Sequence, residues 1–219
     1  MRTEEYNPLD YANLTKNCVQ ELMARGPWAL ASIPGRPFVG AGVYALFYRG
    51  NLSEYAPVCS MVADWPIYVG KAVPQGARKG KFGGVNTSPL HSRLKEHHGS
   101  ILAANETLAV DDFLCRYLVV TPLWITMAER FLIEHYQPLW NVCIEGFGNH
   151  DPGSGRHAGL ISWWDVLHPG RAWAKKLDQG RIRFDAVKKV KVFLGAYPPR
   201  QGPKPLPGDP TDYTEDDED

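Results

Sequence analysis

Gly42-Val43-Tyr44-Ala45-Leu46-Phe47-Tyr48, aromatic and β-branched and opened by glycine, reads as a β-strand, and Pro66-Ile67-Tyr68-Val69-Gly70 reads as a second. Side chains alternate along a strand, so Val43, Ala45 and Phe47 fall on one face of the first and Tyr44, Leu46 and Tyr48 on the other. In the second, Ile67 and Val69 separate from Tyr68 and Gly70. If both apolar faces meet one core, Tyr44 and Tyr68 share the opposite surface, where Gly70 leaves room for a ligand's backbone. Two tyrosines also simply suit β-structure, and the strands alone favour that account.

Outward from these strands, the connection 49–65 is long for a hairpin and predicts irregular structure. Upstream, residues 7–25 carry Leu14, Cys18, Val19, Leu22 and Met23 at helical spacing, followed by a Gly/Pro-rich stretch to Gly40. Downstream, 71–88 is a glycine-rich basic loop with Lys71, Arg78, Lys79 and Lys81. A helix is predicted from Pro89 to about Ala104, with Ser88 as its cap. A third strand follows at Phe113–Thr121 and a second helix at Leu123–Tyr136, halted before Pro138.

The predicted helices carry the residues with chemical potential. Arg93 and His97 stand at i and i+4 and so project from one face, with Ser100 next along it and Leu90, Leu94 and Ile101 as the apolar stripe beside them. Adjacent His98 diverges from His97 by about 100°, which argues against a metal pair. Glu129 has Ile125, Leu132 and Ile133 one turn away, at the margin of an apolar stripe. A partly desolvated carboxylate needs a cation or donors, so Glu129 is either a metal ligand or an edge glutamate that reaches solvent. Asn141 reads by itself as a turn residue.

Beyond it lie a turn-rich loop, Gly146–Arg156, a segment with Trp163, Trp164 and Trp173, and a basic stretch whose apolar runs from Arg181 to Leu194 look strand-like. Pro198–Pro210 is proline-rich. The last eleven residues hold seven acids and no base; without them 24 basic residues face 17 acidic ones, a surplus suited to a polyanionic partner. Cys18, Cys59, Cys115 and Cys143 form no CxxC pair and are expected to be buried thiols, which excludes a cysteine-rich zinc domain. The polar start and the lack of an apolar run near 20 residues read as cytoplasmic.

In this order, Gly42-Val43-Tyr44, Tyr68-Val69-Gly70, Arg93-x-x-x-His97, and Glu129 with Pro138 and Asn141 resemble the GIY-YIG nuclease superfamily. Valine replaces isoleucine in both triplets, and the 23 residues between the two tyrosines exceed the family's usual spacing. The resemblance covers about 41–141. It implies an α/β (α+β) fold: a small central antiparallel sheet flanked by helices, here with an N-terminal arm (1–40), a C-terminal extension packed on the core (142–208) and a disordered acidic tail (209–219).

Within the superfamily the chain is most similar to type II restriction endonucleases that cut the palindrome CCGCGG. The resemblance implies a catalytic set of Tyr44, Tyr68, Arg93, His97, Glu129 and Asn141. Glu129 would hold Mg²⁺, with Mn²⁺ as a substitute, Arg93 would stabilise phosphate charge, and Tyr44 would take a proton from water and pass it to His97. Tyr68 and Asn141 would orient groups by hydrogen bonds. An unperturbed tyrosine, with a pKa of about 10, is a poor base at neutral pH, so either nearby positive charge lowers it or another base receives its proton. Double-stranded DNA would be contacted by Lys71, Arg78, Lys79, Lys81, Asn149, His150 and Arg156. A palindromic target suits a homodimer, and a companion DNA methyltransferase would protect the host. The alternatives are a structure-selective repair or mobile-element nuclease with the same chemistry, and a DNA-binding module without catalysis.

Overall fold

The computed structural model describes residue 7 and residues 9–74 and 87–201; Arg78, Lys79, Lys81 and the acidic tail lie outside the described residues. Four strands, β1 (Trp28–Ala29), β2 (Gly42–Tyr48), β3 (Tyr68–Ala72) and β4 (Phe113–Val119), form one antiparallel sheet in the order β1-β4-β2-β3. The central strand β2 pairs Tyr44 with Gly70 of β3 on one side and with Tyr117 of β4 on the other. The helices are α1 (Tyr11–Met23), α2 (Pro89–Ala103), α3 (Ile125–Tyr136), α4 (Leu139–Val142), α5 (Trp163–Leu167) and α6 (Arg183–Ala196).

The alternation along β2 holds, yet all seven of its residues are buried. Val43, Ala45 and Phe47 face a core built with α1 and α3. Tyr44, Leu46 and Tyr48 face a second core shared with α2, α4, α5 and α6. The tyrosine face expected to be a surface is therefore an interior. A buried phenol is tolerable when its hydroxyl finds a partner, and Tyr44 has one in His97. The space left by Gly70 is taken by the Tyr44 phenol, which a β-carbon at that position would strike, rather than by a ligand.

Local signals explain most boundaries. Asp10 caps α1 by accepting from the Ala12 N–H at 2.8 Å, which trims the predicted 7–25 helix. Pro89 sits at the first position of α2, but the Ser88 side chain makes no capping bond. Residues Pro122–Trp124 form a 3₁₀ turn ahead of α3, and Gln137 in left-handed conformation (φ 45°) ends that helix. The strand-like reading of 181–194 is overturned: the stretch is helical. Its valines mask a fourfold spacing, Ala186, Val190 and Leu194, that turns one helical face into the core. Trp164, Leu167, Ala186 and Val190 lie in the same cluster as Tyr44 and Leu46, so α5 and α6 share the core of the sheet.

Cys115 and Cys143 are buried, whereas Cys18 and Cys59 are only half-buried; all four are free. Among the described residues no helix is long and apolar enough to cross a membrane.

Candidate active site at the edge of the sheet

The antiparallel pairing of β2 with β3 sets Tyr44 opposite Gly70, which leaves Tyr68 as the diagonal neighbour of Tyr44 on one face, ring centroids 6.3 Å apart. Helix α2 lies over that face and contributes both Arg93 and His97. The His97 ring packs against Tyr68 (5.2 Å) and stacks on Phe147 (4.4 Å, 18°). His97 Nε2 and Tyr44 Oη are 2.6 Å apart. Helix α3 lies on the other face. Its Glu129 meets Lys71 of the edge strand β3, Oε2 to Nζ 2.6 Å, and its charge is felt at the Tyr68 hydroxyl. The residues expected to be catalytic thus gather about β3 from both layers.

Burial first, and then Tyr68, push the Tyr44 hydroxyl well above the usual tyrosine value, with Arg93 opposing. Lowering of the Tyr44 hydroxyl by positive charge is therefore outweighed by its burial. Burial, and then the charges of Arg93, His150 and Arg171, hold His97 well below the ordinary histidine value. A neutral imidazole against a protonated phenol makes a hydrogen bond through which a proton can pass.

Arg93 donates from Nη1 to Glu96 (2.7 Å) and to His150, and from Nη2 to the carbonyl of Gly148 (2.8 Å). The loop from Gly146 therefore lies over the site. At Gly148 a β-carbon would stand 2.8 Å from Tyr68 Oη and 3.3 Å from Arg93 Nη2, so only glycine brings the backbone this near. Asn141 turns its amide toward β3: Oδ1 accepts from the Val69 N–H and Nδ2 donates to the Val69 carbonyl, both at 2.8 Å. It completes the edge of the strand as a neighbouring backbone would.

No cluster of three or more metal-ligating side chains occurs among the described residues. Glu129, 19% exposed, is a carboxylate of the site distinct from the Glu96 that holds Arg93, and Lys71 is its ion-pair partner. A single carboxylate ligand suits a hard divalent ion that keeps most of its waters, and here Lys71 holds that carboxylate.

A cleft of about 430 Å³ opens beside Arg93, His97, Phe147 and His150, and Ser100 lines it. A second of similar size continues past Asn149 and His150 to Arg156. Of the residues expected to touch DNA, His150 thus sits on Arg93 and Lys71 on Glu129, while Asn149 and Arg156 are exposed along the groove. The sequence reading passed over Phe147, Glu96, and the pair Arg171 and Asp165 beneath the loop. The tryptophans flanking Arg171 were the available signal, but its burial depends on partners more than twenty residues away.

Residues 36–193 match the family model described as the Eco29kI GIY-YIG domain, and that match spans β2, β3 and β4 and the elements through most of α6. A comparison with individual curated proteins found no match. Eco29kI recognises CCGCGG. With the two tyrosine-bearing strands, the Arg93–His97 helix and the Glu129 helix arranged as they are, the chain belongs to the Eco29kI-type GIY-YIG family of restriction endonucleases, enzymes that cleave DNA.

Proposed function

We propose that this protein is a type II restriction endonuclease that cuts both strands of a DNA palindrome, CCGCGG, by Mg²⁺-dependent hydrolysis. The observation that carries the reading is the Tyr44–His97 pair beside Arg93, with Glu129 reaching the same strand edge from the opposite layer. On this account 41–141 supplies the chemistry, and the 142–208 extension supplies the loop that lies over it. Two copies related by a twofold axis would address the two strands of the palindrome.

Hydrolysis forms a bond from water oxygen to phosphorus and breaks the bond to the 3′ oxygen, so a proton must leave the water and negative charge on the phosphate must be met. Glu129 would hold Mg²⁺, whose chemistry is to stabilise that charge and the leaving oxygen. Lys71 would release the carboxylate and turn to a phosphate. Arg93 offers the phosphate a planar fork of donors. That fork is held by Glu96, His150 and the Gly148 carbonyl, and Tyr44 is closed from solvent. Arrival of the phosphate would draw Arg93 outward and admit water to the Tyr44 hydroxyl. The water's proton passes to Tyr44 Oη as the phenol's own proton passes to His97 Nε2, leaving an imidazolium. The raised tyrosine value argues against a standing tyrosinate, and the lowered histidine value keeps His97 neutral beside it. Asn141 keeps β3, and with it Tyr68, in place.

Glu129→Gln removes the carboxylate charge without changing its size. Cleavage of DNA in Mg²⁺ should be abolished while binding measured in Ca²⁺ persists; full cleavage by this variant would remove the metal-ligand role.

A further inference from the structure

Arg171 lies outside the catalytic set and is 5% exposed. A guanidinium carries five N–H donors, and all five have acceptors here. Nε donates to Asp165 Oδ1 (2.7 Å) and Nη2 to Asp165 Oδ2 (2.6 Å). The rest go to backbone carbonyls: Nη2 to Gly146 (2.9 Å), and Nη1 to Phe147 (3.0 Å) and Asn149 (3.1 Å). The group lies between the rings of Trp164 and Trp173, 4.6 Å from each centroid. Asp165 is fixed in turn by the Ser162 hydroxyl, which donates to it at 2.7 Å.

The carbonyls of 146, 147 and 149 therefore point at Arg171. That of 148 points away, to Arg93 Nη2. The same short segment lays Phe147 on His97 and His150 on Arg93. One buried cation thus sets the position of a loop whose other side touches Arg93 and His97. A charge buried this deeply is retained at a desolvation cost only because its donors are all met, and any replacement leaves several carbonyls unpaired.

We propose that Arg171, neutralised by Asp165, is a positioning residue for the active site: through the 146–150 segment it fixes the orientation of Arg93 and His97, without itself touching DNA. The proposal rests on the nuclease reading of those two residues. A misplacement of about 1 Å in such a site costs about 10²-fold in rate.

The test needs a control for stability alone, and the fold contains one. Arg116 is also buried and also donates to three carbonyls, those of Ala63, Met23 and Arg25, but it lies on the opposite face of the sheet. Arg171→Lys and Arg116→Lys are compared by melting, by single-turnover cleavage at saturating DNA, and by NMR titration of the His97 ring. Arg171→Lys should lower the single-turnover rate between about tenfold and 10²-fold with a smaller change in DNA affinity, and should shift the His97 ring signals. Arg116→Lys should lose melting temperature with neither effect. Equal slowing in both variants at equal melting loss would overturn the proposal, as would an Arg171→Lys protein with wild-type rate and unshifted His97 signals. If Arg171→Lys does not fold, Asp165→Asn, which keeps the shape and removes the charge, takes its place under the same criteria. Wild-type protein that fails to cleave would refute the nuclease reading instead, while the His97 signals would still report whether Arg171 orients the loop.

Discussion

Replacing Tyr44 by phenylalanine removes a single oxygen from the interior. The ring is retained, so the packing against β3 and α2 stays filled, and the loss falls on the hydroxyl's polar contacts, foremost the 2.6 Å one with His97 Nε2. His97 is fully buried in its neutral form, so its nitrogen then has no replacement partner from solvent. An unmet buried polar atom costs about 1–3 kcal/mol, which for a domain of this size lowers the melting temperature by roughly 2–4 °C per kcal/mol. Folding survives, since stability on the order of 5–15 kcal/mol is usual. The chemical loss is larger. Without the hydroxyl the relay from water to His97 is cut, and a lost general base is worth about 10²–10⁴-fold.

The assay is single-turnover cleavage of a short duplex with enzyme in excess, alongside DNA binding in Ca²⁺ and thermal melting. His97→Asn and the double variant complete a cycle. If the two residues act as one chain, the double variant should be no slower than the slower single one, because the second substitution removes nothing still in use. Wild-type turnover in Tyr44→Phe, or fully multiplicative losses in the cycle, would refute the relay.

Three further outcomes follow from the same geometry. His97 must be neutral to accept a proton and is held well below its usual value, so the cleavage rate should stay level as pH falls through about 6.5 and decline only well below it; an acid limb at 6.5 would contradict the relay. His168, buried between Tyr55 and Thr107, is pushed down to about 3 by burial first and then by Arg183. The unfolded chain therefore takes a proton below about 6.5 that the fold refuses, and stability is lost as pH falls from there toward 3. The loss is on the order of 4 kcal/mol, and His168→Gln should flatten the slope seen by urea unfolding between neutral and acid pH. Asn141→Leu leaves the N–H and carbonyl of Val69 without their partners, so melting temperature should drop by the equivalent of about 1–3 kcal/mol and cleavage should fall with it; unchanged melting would show that the amide does not hold β3.

The parts of this fold legible in the sequence are those whose signal is local. β2 is bounded by Gly42 and Tyr48 as its composition predicts, and α2 starts at Pro89 because proline there needs no hydrogen-bond partner. Arg93 and His97 share a face because helical period requires it, and Glu129 stands at the margin of the apolar stripe of α3 with a cation beside it. What was not legible depended on distant partners. β1 is two residues long and exists through pairing with Cys115 and Leu114. The interior position of Tyr44 follows from helices packed on both faces of the sheet, which alternation in one strand does not reveal. The apolar runs of 181–194 look strand-like, and only docking of Ala186, Val190 and Leu194 on the core selects the helix. Arg171 looks like any basic residue until the carbonyls of 146, 147 and 149 converge on it.

The most direct measurement is a digest of DNA of known sequence by the purified protein, with Mg²⁺ and with chelator, followed by mapping of the ends. The account predicts discrete fragments in Mg²⁺ only, each ending within a CCGCGG site on both strands. Absence of Mg²⁺-dependent cleavage would contradict the nuclease reading, and fragments whose ends share no sequence, or nicks confined to branched DNA, would contradict its assignment as a site-specific restriction enzyme.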